Sequence, residues 1–293
     1  MENVEYFENP HLVRPCFILG FEGWPNAAEI SSFALQHLIE SLQAKKFASL
    51  VFETFYQLSS SRPVARIKEG RVGEVKFPEH HFYYSKMLSR DLILFLGVEP
   101  HFHWGRFAEG VLEVAERFEV SKIVTIGGTY DYLPHTYPPL ISAVFNDETL
   151  REEVVQRGLA LTEYHGPISI HTFLLEEARK KGIRAISLWG HAPHYLQARN
   201  LKVIHAVLQC LADLTRIEID LSELKRLTEV FDEQIKQVMK QDPKLQQVIS
   251  KLEEVYQKSE ELAPPRKKET ESKQEEKVVY LQAFLKKQED EEE

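Results

Sequence analysis

Short, near-continuous apolar runs alternate along the chain with longer stretches whose apolar residues recur every three or four positions. The runs are Cys16 to Phe21 (CFILGF), Ser49 to Phe55 (SLVFETF), Leu92 to Val98 (LILFLGV), Lys122 to Ile126 (KIVTI), Leu140 to Phe145 (LISAVF) and Ile183 to Trp189. Runs this short, rich in β-branched and aromatic residues and ending near glycine or proline, predict strands covered on both faces. Between them, Ile30, Phe33, Ala34, His37, Leu38 and Leu42 fall on one face of a helix that Asn26 would cap. Phe107, Ala108, Val111, Leu112, Ala115 and Phe118 predict a second helix from Trp104, and Asp147 would cap a third reaching Val155. Ile168 to Ala178 leads into a helix that stops at Lys181-Gly182, and Val203, Val207, Leu208, Leu211 and Leu214 mark one more. Val64 to Phe77 alternates in short runs around Glu69-Gly70, the pattern of an exposed hairpin. Strands and helices in this alternation predict an α/β fold with a largely parallel central sheet.

Beyond Asp220 the pattern changes. Leu224, Phe231, Val238, Leu245 and Leu252 recur every seventh residue, with Ile235, Ile249 and Tyr256 between them, a heptad-like seam. Asp242-Pro243 interrupts it as an N-cap followed by a proline at the first helical position, so two helices are expected rather than one rod. From Pro264 the composition turns to Lys, Glu and Gln, for which disorder is the expectation. Val278 to Leu285 (VVYLQAFL) stands out as a short amphipathic segment. Three units are therefore expected: an α/β core at 1–219, a helical hairpin or arm at 220–262 and a charged tail at 263–293.

At 293 residues and 43% hydrophobic the chain has the material for a sizeable core. A net charge of -9 and a pI of about 5.8 argue against a nucleic-acid backbone binder. Cys16 and Cys210 lie too far apart in sequence to suggest a disulfide framework or a zinc cluster, and read as buried thiols. No stretch reaches the roughly 18 apolar residues of a membrane span. The N-terminal MENVEYFENP lacks the basic and apolar parts of a signal peptide. A cytoplasmic protein with no membrane or nucleic-acid partner and no cofactor is the expectation.

Candidate chemistry gathers where strands end. GVEPHFHW, GGTYDYLPHTYPP and WGHAPHY each follow a predicted strand, and in open α/β sheets that edge binds ligands. Gly127-Gly128 permits a tight turn or a close approach by a neighbour. Around that pair the candidate ligand-binding residues are Gly127, Gly128, Tyr130, His135, Thr136, His171, Trp189, His191, His194 and Tyr195. His101-x-His103 shares a face only in extended backbone, and Pro193 separates His191 from His194, so neither pair defines a metal site. GPISIHT, Gly166 to Thr172, offers backbone amides and hydroxyls at a helix start, which N-capping explains equally well. A Ser-His-Asp set assembled from Ser169, His135 or His171, and Asp131 lacks the Gly-x-Ser-x-Gly turn that exposes a nucleophile. The chain has neither GxGxxG nor GxxxxGK[ST], the dinucleotide and P-loop signatures. Residue pattern alone thus designates no catalytic or metal-ligating residue.

GFEGWPNAAE, LFLGVEPHFHW, GGTYDYLPHTYPP, WGHAPHYL and DEQIKQVMKQDPKLQQVISKLEEVYQ together resemble the proteasome assembly chaperone 2 family, in its bacterial branch with a C-terminal helical extension. The resemblance runs from about Pro10 to Gln257 and leaves out the tail. It implies a three-layer αβα domain similar to nucleoside phosphorylases, in homo-oligomers. The family's namesakes help assemble proteasome α-subunits, and some archaeal relatives engage proteasome-like particles through a C-terminal hydrophobic-Tyr-X ending. This chain ends EDEEE and carries a similar trio internally, at Val279-Tyr280-Leu281. The role so implied is a non-enzymatic, homo-oligomeric chaperone-like or scaffold protein, with itself and another protein complex as partners. The alternative is a protein that binds a nucleoside-like or anionic ligand, or a hydrolase- or transferase-type enzyme, using the strand-end loops.

Overall fold

The computed structural model describes residues 3–51, 55–241 and 243–262. Its centre is four parallel strands, as the apolar runs predict: β7 (Leu92–Val98), β2 (Cys16–Glu22), β8 (Lys122–Asp131) and β11 (Ala185–Pro193), adjacent in that order. Antiparallel strands extend the sheet on both sides. β1 (Val4–Tyr6), β3 (Lys45–Leu50) and β6 (His81–Ser85) lead up to β7, and β9 (Ile141–Phe145) follows β11, with β10 (Ala160–Leu161) parallel to it at the edge. β4 (Val64–Lys68) and β5 (Arg71–Lys76) form the separate hairpin, exposed along its whole length.

Both faces of the sheet are covered. α1 (Ile30–Ser41), α3 (Arg151–Val155) and α5 (Leu201–Thr215) bury an aliphatic layer on one side. α2 (Trp104–Arg117) and α4 (Ile170–Lys180) bury an aromatic one, with Phe17, Phe21, Phe47, Phe82, Phe95 and Phe107 all fully enclosed, on the other. This is the three-layer αβα arrangement. Asn26 accepts from the Ser32 amide across a 3₁₀ turn at Ala27–Glu29, so it caps the first turn of α1 from beyond that turn. Ser169 caps α4 and Asn200 caps α5, each through its side-chain oxygen.

Two expectations need correction, and a third is decided between its alternatives. The strand placed at Ser49 to Phe55 is β3, Lys45–Leu50; residues 52–54 fall outside the described residues. Gly127-Gly128 does not turn the chain: β8 runs straight through to Asp131. A Cβ on Gly127 would lie 2.8 Å from the Trp189 ring, and one on Gly128 2.5 Å from the Ala27 carbonyl oxygen. The glycines therefore serve close approach, the other use their lack of a side chain allows. Gly190, just past the predicted strand end at Trp189, likewise sits inside β11 against Val203 and Val207.

The extension is two helices, α6 (Ser222–Gln241), whose first turn Asp220 caps, and α7 (Pro243–Leu262). Asp242 and the tail from 263, with its Val278 to Leu285 segment, lie outside the described residues. Of the seam, Leu224, Ile235, Ile249 and Leu252 are buried, and α6 packs on α5.

Candidate functional site

The arm folds back over one edge of the sheet, the edge where the central parallel strands end. The Thr136 hydroxyl donates to Glu253 of α7 at 2.5 Å, and the Tyr137 and Tyr256 rings meet at 4.9 Å. Between arm and sheet remains a crevice of about 10 Å³, lined among others by His135, His191, Lys202, Phe231 and Ile235. A space of that size holds about one water molecule.

Beneath the arm, four side chains from separate strand ends form one hydrogen-bonded chain. His191 Nδ1 lies 2.9 Å from Asp131 Oδ2, and its Nε2 lies 2.8 Å from the Ser142 hydroxyl. Thr162 donates to the same Ser142 oxygen at 3.1 Å. A carboxylate only accepts, so Nδ1 carries the proton, Nε2 is the acceptor and Ser142 donates to it. The proton order is that of a serine hydrolase relay, yet the exposures run the wrong way for one. Ser142 is 6% exposed, while the Asp131 side chain is 28% exposed. The chain instead ties the ends of β8, β9 and β11 together beside the start of the Pro134–Pro139 loop.

That loop is held by a second network. The Tyr195 hydroxyl accepts from the His135 amide at 2.8 Å and donates to His135 Nδ1 at 2.7 Å, while Lys202 Nζ donates to the His135 carbonyl at 2.9 Å. Burial pushes the Tyr195 hydroxyl up to about 12, so it keeps its proton and both bonds. Burial, and then the nearby Lys202 charge, holds His135 below the usual histidine range and hence neutral. The His194 ring packs tilted against Tyr132 at 4.3 Å, and its amide donates to the Asp131 carbonyl. Tyr130 accepts from the Ala28 amide at 3.2 Å.

Further along the same edge, Glu99 accepts from the Ile170 amide at 2.9 Å and from the Trp24 amide, joining the loops after β2 and β7 to the start of α4. Burial raises its pKa, and the two amides oppose that rise. His171 lies next to it, wholly buried between the Phe21 and Trp189 rings, each 5.2 Å away. Among the described residues neither of its nitrogens has a hydrogen-bond partner, and burial pulls its pKa down to about 3. Around this cluster Trp24, Phe102, Tyr164 and Ile168 stand exposed, an apolar rim on the edge.

The sequence-derived candidates thus separate into three groups. Tyr130, His135, Thr136, His191, His194 and Tyr195 do meet at one edge. Gly127, Trp189 and His171 form a packed stack below it, and Gly128 lies under the Pro25 carbonyl, which its amide bonds at 2.7 Å. The set Ser169, His135 or His171, and Asp131 does not assemble: Ser169 caps a helix, His171 is enclosed by rings, and Asp131 is paired with His191. Ser142 was missed because it sits inside an apolar strand run, where a serine gives no signal of its own. His101 accepts from the Gln57 amide, His103 precedes α2 in left-handed backbone, and among the described residues no three His, Cys, Asp or Glu gather as a metal site.

Fold and edge together define an αβα protein whose C-terminal arm is laid over its own strand-end loops. The PAC2 family model matches residues 20–239, and the chain belongs to the PAC2 family. It is similar to the solved proteasome-assembly chaperone homologue of Mycobacterium tuberculosis, at 28% identity and a TM-score of 0.73, over 80% of this chain and 99% of that one. A PAC2 family protein from Streptomyces avermitilis matches at 30% identity and a TM-score of 0.71, over 76% of this chain and 95% of its own. An archaeal proteasome activator from Pyrococcus furiosus shares the fold at 24% identity and a TM-score of 0.65, over 81% and 99%. No curated protein matches the chain. Among the described residues no helix is long and apolar enough to cross a membrane.

Proposed function

We propose that this chain is a chaperone-like scaffold of the cytoplasm that associates with copies of itself and docks on another protein complex. The carrying observation is the apolar rim of Trp24, Phe102, Tyr164 and Ile168, exposed on an edge whose loops are pinned by partly buried hydrogen bonds. Rigid, exposed aromatic residues are the usual anchors of protein interfaces, since they lose little freedom on binding. Membership of the PAC2 family and the likeness to a proteasome-assembly chaperone homologue support the same reading. The core at 1–219 supplies the docking edge, and the arm at 220–262 occupies the part of that edge over His135 and His191.

The test compares the natural protein with a Trp24→Asp, Phe102→Asp variant. Light scattering should show an oligomer for the natural chain, and the partner that co-purifies with it in stoichiometric amount should be lost from the variant at unchanged melting temperature. An unaltered oligomer with an unaltered partner would remove the rim from the account; a monomer without any partner would remove the scaffold role.

A further inference from the structure

The opposite edge of the sheet, where the four central strands begin, holds a groove of about 450 Å³. Its charged lining is Arg14, Arg90, Lys122, Arg184, Arg216 and Glu153. Lys122 and Glu153 neutralise each other, Nζ lying 2.7 Å from both carboxylate oxygens. Four guanidinium groups are left in a chain whose net charge is -9. Among the described residues Arg14, Arg184 and Arg216 meet no carboxylate within ion-pair distance, and Arg90 reaches only the Cys16 thiol. Arg117, Arg151, Arg179 and Arg199, elsewhere on the surface, each bond a carboxylate or an amide, and Arg157, beside the groove, bonds the Glu153 and Asp213 carbonyls.

The ends of α2 and α5 come to this edge, and their negative partial charge favours a nearby cation. That attraction accounts for an arginine bonded to terminal carbonyls, as Arg157 is to Glu153 and Asp213. It does not account for four arginines without such bonds around one groove. Like charges brought together repel, and an anion bound between them relieves that repulsion. Guanidinium forks match the oxygens of phosphate two at a time, which makes arginine the preferred residue for such anions.

We propose that this groove binds a phosphoanhydride chain, free or carried by a nucleotide. One phosphoryl group brings about two negative charges near neutral pH, half of what the four arginines balance, whereas a di- or triphosphate matches them. The volume falls within the roughly 300 to 1,000 Å³ of small-molecule sites. The lining offers no aromatic plane for a base to stack on, only Val13 and Leu214 as large apolar groups. Recognition therefore rests on the phosphate chain. The site goes beyond the protein-docking role and lies on the other edge of the sheet.

Titration calorimetry of the full chain with sodium tripolyphosphate tests this, with ATP and sodium sulfate as parallel arms. Tripolyphosphate should bind with an affinity that weakens as salt is raised. Arg90→Gln and Arg184→Gln should each weaken it about tenfold, with an unchanged melting temperature showing that the fold persists. Binding of ATP equal to that of tripolyphosphate assigns the chain itself as ligand, and tighter binding of ATP assigns a nucleotide. No heat up to about 1 mM tripolyphosphate, full affinity in the double variant, or sulfate binding as tightly would each overturn the proposal. So would tighter binding of polyglutamate, which would make the groove a site for acidic protein.

Discussion

The two edges of the sheet solve opposite problems. Where the parallel strands end, polar groups pair with one another: His191, Asp131, Ser142 and Thr162 form one hydrogen-bonded chain, Tyr195 and Lys202 hold His135, and the arm closes the remaining space to about 10 Å³. Where the strands begin, charges stand open around some 450 Å³ with little to neutralise them. The closed edge draws stability from paired hydrogen bonds and ring packing. The open edge carries unspent charge. By the usual rule of open α/β sheets the ligand site belongs at the strand ends; in this chain the arm covers much of that edge, and the better-formed ligand groove is on the other.

The difference sets how each edge responds to pH, substitution and salt, and the largest expected effect is acid sensitivity at the closed side. Burial takes His171 and His80 from 6.5 down to about 3. Between those values the unfolded chain binds protons that the native one does not. The stability these rings permit is thus fully present above pH 6.5 and is lost as pH falls toward 3, by up to about 1.4 kcal/mol per pH unit for each ring. Urea unfolding from pH 7 to pH 4 should show that slope, and His171→Leu should remove about half of it. A flat profile would mean that water reaches the ring. Next in size is Gly128→Ala, whose added methyl meets the Ala27 carbonyl at 2.5 Å and should cost about 1 to 3 kcal/mol in the same assay. An unchanged midpoint would show that the loop before α1 yields easily.

A smaller effect measures the closure itself. Tyr137→Ala and Tyr256→Ala, singly and together, should give a coupling of about 0.5 to 1.5 kcal/mol in thermal melts if the arm lies on the loop in solution. Additive effects would place the arm elsewhere. Smallest of all are the exposed pairs: Glu29→Ala, which removes the partner of Arg199, should change stability by less than about 1 kcal/mol.

Much of this was legible in the sequence. LILFLGV and KIVTI gave central parallel strands because a strand buried on both faces has no polar alternation to hide it. The seven-residue spacing with Pro243 gave two helices. The use of the glycines was not legible, since sequence cannot distinguish a glycine that turns the chain from one that admits a neighbour; Gly127, Gly128 and Gly190 all do the second. The histidine-rich loops pointed to the right edge, but Asp131 was matched with the wrong histidine and serine because partners on separate strands are set by register. Thr129 pairs His191 across β8 and β11, which brings Asp131 to it, and Trp189 pairs Ser142 across β11 and β9. The arginine groove left a signal that reading only strand ends overlooks: Arg14 and Arg90 each stand two residues before a predicted strand, and Arg184 is the second residue of another.

Hydrogen-exchange mass spectrometry of the full chain with and without tripolyphosphate compares the two edges directly. Slower exchange confined to peptides spanning Val13 to Cys16, Ser89 to Leu92 and Gly182 to Ala185, with Tyr130 to Tyr137 and His191 to Tyr195 unchanged, is the expected result. Protection of the strand-end loops instead, with the arginine segments unaffected, would contradict it.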